Sequence, residues 1–424
     1  MFLFLLLAGL SIPAAPALAQ LTPTTIASLP GGAGGATPFG GVTFDADGNL
    51  FGTTYSGGAS GNGTVYEVVK GSGATITIAS FTGANGSNPY SGVTFDKSGN
   101  LFGTTQGGGA SSKGTVYEIV KGSGTITVLD SFNGTNGSLP TGDLTFDSAG
   151  NLFGTSRSGG AASGGTIYEI AKGGSKIITL ASFTNVSGIN PFGGITFDSA
   201  GNLFGAAAGG GTANSGTVFE LVKGGTTVSA LDSFTGSNGL YAFGGVTFDA
   251  GGNLFGTTNQ GGTAGGGGTV YEIAKGTTKI RNLVSFDGIV ANGPDSAVTF
   301  DGAGNLFGTT PSGGSSKYGT VFKITSGELP KTKPAFTIVA EFDPSSGRGP
   351  VAGVTFDSSG NLFGSTNLGG AFNAGTVYEL AGVGAPAPIP EASTAASMGL
   401  LMGLGFSGLA WHSRKRHRAP APDA

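Results

Sequence analysis

The chain has 424 residues, a formal net charge of −4, 85 glycines, two histidines and no cysteine. Without cysteine, neither a disulfide framework nor a thiolate metal site is available. Setting aside Arg414, Lys415, Arg416, Arg418, Glu391 and Asp423 near the C-terminus leaves 16 basic and 22 acidic residues. That mildly acidic body excludes nucleic-acid binding through a basic surface.

Residues 1–19, MFLFLLLAGLSIPAAPALA, read as a signal peptide. Phe2–Leu10 is the apolar run, and Ala17-Leu18-Ala19 forms a small-residue site for signal peptidase between Ala19 and Gln20. No Lys or Arg precedes the run, so the start lies upstream or the signal is atypical.

Residues 20–382 are one motif repeated. Asn-Leu-Phe-Gly begins at Asn49, Asn100, Asn151, Asn202, Asn253, Asn305 and Asn361, with spacings of 51, 51, 51, 51, 52 and 56. A repeat at fixed period marks a solenoid or a propeller. In the first unit, Gly41–Asp45 predicts a short strand and Asp45-Ala46-Asp47-Gly48 a tight turn, in which the Asp side chain caps backbone amides. Asn49–Thr54 predicts the second strand. Thr64–Lys70 alternates Val65, Glu67 and Val69 against Tyr66 and Val68, and predicts the third. Thr75–Phe81 predicts the fourth. Four antiparallel strands per unit is a propeller blade; a β-solenoid would need shorter rungs and terminal caps. The last unit stops after its third strand, Thr376–Leu380, whereas Thr24–Leu29 matches the fourth-strand pattern of Ile76–Phe81. The expected fold is therefore all-β, a seven-bladed propeller closed by the N-terminal strand.

Residues 383–392 are Pro/Ala-rich and read as a linker ending in Pro390-Glu391-Ala392. Residues 393–411 carry no charge, just enough for one bilayer-crossing helix. The basic residues Arg414, Lys415, Arg416 and Arg418 within 412–424 then hold the C-terminus in the cytoplasm. This tail resembles the PEP-CTERM sorting signal of Gram-negative bacteria, although Ala392 stands where that signal has its second Pro. The resemblance implies processing by an exosortase, with the chain anchored in the inner membrane and then released to the cell surface or matrix. A plain C-terminal membrane anchor is the alternative. The repeat itself, Asp-x-x-Gly-Asn-Leu-Phe-Gly-Thr-Thr with Gly-Gly and Gly-Thr-Val-Tyr-Glu following, resembles the GloVer-type tandem repeat of bacterial surface proteins. Units depart from it at Ala206-Ala207 and at Lys323, which replaces a repeated Glu. That resemblance implies architecture and surface location but no chemistry.

Both histidines, His412 and His417, and the single Trp411 lie in the tail. The repeats therefore exclude Ser-His-Asp and Cys-His catalysis and any His- or Cys-ligated metal. Glu67, Glu118, Glu169, Glu220, Glu272 and Glu379 occupy equivalent positions, which suits cross-strand partners better than an acid–base pair. Of the turn aspartates Asp45, Asp96, Asp147, Asp198, Asp249, Asp301 and Asp357, only Asp45 has a second carboxylate in its turn, at Asp47; a lone carboxylate per turn supplies too few oxygens for Ca²⁺. No cofactor is expected.

Strand order places the short turns on one face. It places the longer second-to-third-strand loops and the blade-to-blade connections on the other, where variable loops on a rigid scaffold bind ligands. Tyr90, Arg157, Tyr241, Tyr318, Arg348 and Phe372 are the candidate ligand residues there. The expected function is non-enzymatic binding or scaffolding in the envelope or extracellular matrix, with an extracellular polysaccharide or envelope protein as partner. The alternative is an extracellular lyase or glycosidase working through carboxylate, Tyr and Arg groups.

Overall fold

In the computed structural model, residues 20–329 and 334–386 are described. The expected signal peptide, the sorting motif Pro390-Glu391-Ala392, the helix 393–411 and the basic tail lie outside them. Among the described residues no helix is long and apolar enough to cross a membrane.

The first blade is built from Thr43–Phe44, Leu50–Thr54, Thr64–Val68 and Thr75–Ser80, paired in sequence order. Its second and third strands are buried on both faces, because blades stack against neighbours on either side. Only the fourth strand shows an exposed rim. Leu50 pairs Val68 and Thr54 pairs Thr64, whereas the register slips between Val65 and Tyr66 against the fourth strand. The same slip recurs in every blade. A bulge at this place strengthens the twist that fans each blade outward.

The repeated residues have separable jobs. Asp45 Oδ1 accepts from the amides of Asp47 and Asn49, and Oδ2 accepts from Asn49 Nδ2. Asn49 Oδ1 in turn accepts from the Lys70 amide at 3.1 Å, tying the two short turns together. Phe51 meets Phe95 of the next blade edge-to-face at 5.2 Å. Equivalent pairs run round the ring and return at Phe44–Phe363, 5.1 Å apart. Such pairs add about 0.5–1.5 kcal/mol each beyond burial. Gly52 lies under the Tyr66 ring, and a Cβ there would sit 2.6 Å from the Tyr66 hydroxyl oxygen. Thr53 Oγ1 donates to Ser91 O of the next blade at 2.7 Å, and the Thr54 and Thr64 hydroxyls bond at 2.8 Å within the blade.

Closure follows the expected route. Thr24–Ser28 pairs antiparallel with Thr376–Leu380 and completes the seventh blade. Ser365 Oγ of that blade donates to Gly40 O of the first at 2.9 Å. Blade four differs: Ala206-Ala207 removes the threonine hydroxyls, the second strand lengthens to Leu203–Gly209, and Ile189–Pro191 adds a fifth strand. The compact unit runs to Pro386. Val383, Gly384 and Ala385, expected to begin a linker, instead pack along the turn face. There Gly384 N donates to Gly360 O, and Ala385 N to Asp301 Oδ2 at 2.9 Å.

Candidate functional site

The second-to-third-strand loops and the blade connections share one face, where the central channel opens into a cavity of about 550 Å³. One position per blade rings this mouth: Phe39, Tyr90, Thr141, Phe192, Phe243, Asp295 and Val351. Each stands two residues after a backbone in left-handed conformation, at Thr37, Asn88, Leu139, Asn190, Tyr241, Gly293 and Gly349. In six of the seven, Pro fills the place between. Pro fixes φ and carries no amide, so the connection enters the innermost strand at one set angle. A second ring, again one position per blade, directly follows the Asn-Leu-Phe-Gly-x-x run, at Tyr55, Gln106, Arg157, Ala208, Asn259, Pro311 and Asn367.

These two rings vary between blades while the scaffold positions repeat. Phe39 stacks on Tyr90 at 4.7 Å, Tyr90 meets Phe192 edge-on at 5.2 Å, and Phe192 meets Phe243 at 5.1 Å. Tyr55 packs edge-on against Phe39, and the Arg157 guanidinium lies 5.4 Å from the Phe192 ring centre. The result is an aromatic arc over blades one, two, four and five. Across from it, Asp295 Oδ1 accepts from Asn259 Nδ2 at 2.6 Å. Burial pushes the Asp295 carboxyl up to about 6 despite that bond, and pushes the Tyr90 phenol up to about 12. Asp143 replaces a repeated Gly. Its carboxylate accepts from the Gly92 amide at 2.8 Å, is open to the channel, and is raised by the protein packed around it.

The six sequence candidates fall into two groups. Tyr90, Arg157 and Tyr241 join the arc, Tyr241 by stacking on Phe243 at 6.1 Å. Only Tyr90 of the six lines the mouth itself. Tyr318, Arg348 and Phe372 sit apart on blades six and seven, with Arg348 5.5 Å from the Tyr318 ring and bonded to Asn373, and Phe372 exposed. Sequence reasoning missed Phe39, Phe192, Phe243, Asp143, Asp295 and Asn259. The Pro that recurs before the first strand in six of the seven units was the available signal.

On the opposite face the glutamate series has mixed surroundings. Glu272 pairs with Arg281. Glu67 and Glu220 are raised by burial and then by the neighbouring Asp45 and Asp198. Among the described residues no group of three or more His, Cys, Asp or Glu side chains could hold a metal ion.

Seven blades of four strands, one of them with an added fifth, a strand-exchanged closure and a variable, aromatic-lined mouth define a closed β-propeller. The chain belongs to the Gloeobacter/Verrucomicrobia repeat family, whose model matches residues 17–199 and 196–385. No curated protein matches the chain. Among solved structures, the extracellular domain of a protein assigned as a hybrid two-component system from B. thetaiotaomicron superposes with a TM-score of 0.56 at 10% identity. That match covers 85% of this chain but only 39% of that one. A Bacteroides fragilis protein assigned as a 6-phosphogluconolactonase superposes at 0.51 with 15% identity, covering 76% of this chain and 89% of that one. At such identities the likeness is one of fold.

Proposed function

We propose that this chain is an exported, surface-sorted and non-catalytic propeller whose loop-face mouth holds an extracellular polysaccharide. The observation that carries the reading is the arc Phe39–Tyr90–Phe192–Phe243, faced by Asp295, Asn259 and Asp143. Aromatic faces take the apolar C–H surfaces of sugar rings, and side-chain carboxylates and amides take their hydroxyls. Variation at the two mouth rings, carried on repeated strands and turns, is what a scaffold with one specialised face requires. The signal-peptide reading of residues 1–19 and the resemblance of the tail to an exosortase sorting signal support export and sorting. Titrating polysaccharide from the producing organism's envelope into the full chain and its Phe192→Ala variant tests this reading. Saturable binding weakened at least tenfold in the variant is expected; no binding of any envelope glycan overturns it.

Asp143 and Asp295 favour one second reading, an extracellular carbohydrate-active enzyme. They are unlike in surroundings and both face the mouth, as an acid and a base must. Glycan turnover lost in both Asp143→Asn and Asp295→Asn would establish it. Binding without turnover leaves the first reading standing.

A further inference from the structure

On the turn face, grooves run between blades one and two, three and four, five and six, and seven and one. The floor of each is the edge-to-face Phe pair, the wall is the repeated third-strand charge, and the rim is the turn Asp with the amide that follows. The groove between blades six and seven is filled by the chain's own Val383-Gly384-Ala385. Ala385 N donates to Asp301 Oδ2 at 2.9 Å and its carbonyl accepts from Gly302 N at 3.2 Å. Gly384 N donates to Gly360 O at 3.0 Å. Val383 packs beside Phe307 and Phe356, and its carbonyl accepts from Lys323 Nζ at 3.4 Å. A Cβ on residue 384 would lie 2.4 Å from the Phe356 ring, so only glycine passes over the floor. Two departures from the repeat are thereby explained. Lys323 replaces the wall glutamate because a carboxylate would face the Val383 carbonyl. Gly382 replaces the lysine of five other blades, whose side chain lies where the Gly384 backbone runs.

The groove between blades one and two keeps the same fittings and holds no such segment. Its volume is about 630 Å³, and its lining includes Phe51, Phe95, Asp45, Ala46, Gly99 and Glu67. Phe51 and Phe95 repeat the floor, Asp45 and the Ala46 amide repeat the clamp, and Gly99 repeats the carbonyl site of Gly360. Lys121 lies over Gly99 on a long side chain able to swing out to solvent. One element is reversed, because Glu67 stands at the place of Lys323.

We infer that this groove is a docking site for an extended peptide segment of another polypeptide, of the form basic residue–Gly–small residue. Asp45 and the Ala46 amide clamp the small residue's main chain as Asp301 and Gly302 clamp Ala385. The glycine crosses Phe95, and the basic side chain answers Glu67 with a charge-assisted contact. The site is separate from the mouth and independent of its ligand.

The test titrates two capped hexapeptides, Ala-Gly-Lys-Gly-Ala-Pro and Ala-Gly-Val-Gly-Ala-Pro, into the isotope-labelled full chain. The lysine peptide should bind saturably, shift the Ala46 and Gly99 amide resonances, and bind at least tenfold more tightly than the valine peptide. Glu67→Lys should invert that order. Ala46→Pro suits its turn position and should abolish the shifts, with unchanged melting temperature as the folding control. Absence of shifts at Ala46 with either peptide, or an order unaltered in Glu67→Lys, overturns the proposal.

Discussion

Two side chains, Tyr66 in the core and the half-buried Asp295 at the mouth, set opposite tests of what a single residue contributes. The Tyr66 hydroxyl is buried with no hydrogen-bond partner, as are those of Tyr117, Tyr168, Tyr271 and Tyr378. Phe219 and Phe322 hold the same register in blades four and six. Burying an unpaired hydroxyl stabilises nothing. Tyr66→Phe should therefore leave the melting temperature unchanged or raise it, within about 1 kcal/mol; a fall of several degrees would reveal a partner for that oxygen. Asp295 behaves differently. Its folded-state value near 6 lies above the ordinary carboxylate range. The folded chain therefore holds a proton that the unfolded chain has released between about pH 4 and 6. Stability from the protonated form is lost as pH rises through that window. Asp295→Asn should melt above the wild type at pH 7, and the gap should close below about pH 4. Thermal scans at both pH values decide it. At this scale the sequence exposed the scaffold roles, since Asp45 caps its turn as its spacing implies. It hid the mouth, because Phe39 and Asp295 precede the strand alternation and acquire a common direction only when the blades close around an axis.

Among the elements, the docked segment Val383–Ala385 is held by two charged side chains, Lys323 and Asp301. Lys323 also lies 5.1 Å from the Phe307 ring centre, so Lys323→Glu removes that contact and turns a carboxylate toward the Val383 carbonyl. A loss of about 1–2 kcal/mol is expected. Amide exchange should rise at residues 383–385 and stay unchanged at Thr24–Ser28; equal rates at 383–385 would contradict the assignment. Acid should act at the same place. Burial raises Asp301, but bonds from Asn305 and the amides of Ala385, Asn305 and Ala303 outweigh it and hold the carboxyl below its usual value. Its contribution is present above the ordinary carboxylate range and lost as pH falls through the lowered value. The exception at Lys323 was legible in the repeat, whereas its partner was not, because residues 383–385 have the composition of a linker.

For the whole molecule, closure is the feature sequence reasoning reached most fully. A missing seventh outer strand and a surplus N-terminal one imply each other once the repeats are counted. Deleting residues 20–29 should expose the edge of Thr376–Leu380 and remove Leu29 from the core around Tyr66. The ring should then lose its single cooperative melt, and the open edge should promote association. A truncated chain that melts as sharply as the parent would argue that the seven Phe–Phe contacts close the ring alone.

One specialised face on an otherwise regular ring is tested most directly by hydrogen–deuterium exchange with bound envelope polysaccharide. Protection is expected at 38–41, 89–92, 191–194 and 242–245, the connections that carry the aromatic arc, with none at the Asp-x-x-Gly turns. Protection spread evenly over the seven blades, or confined to the turn face, would contradict it.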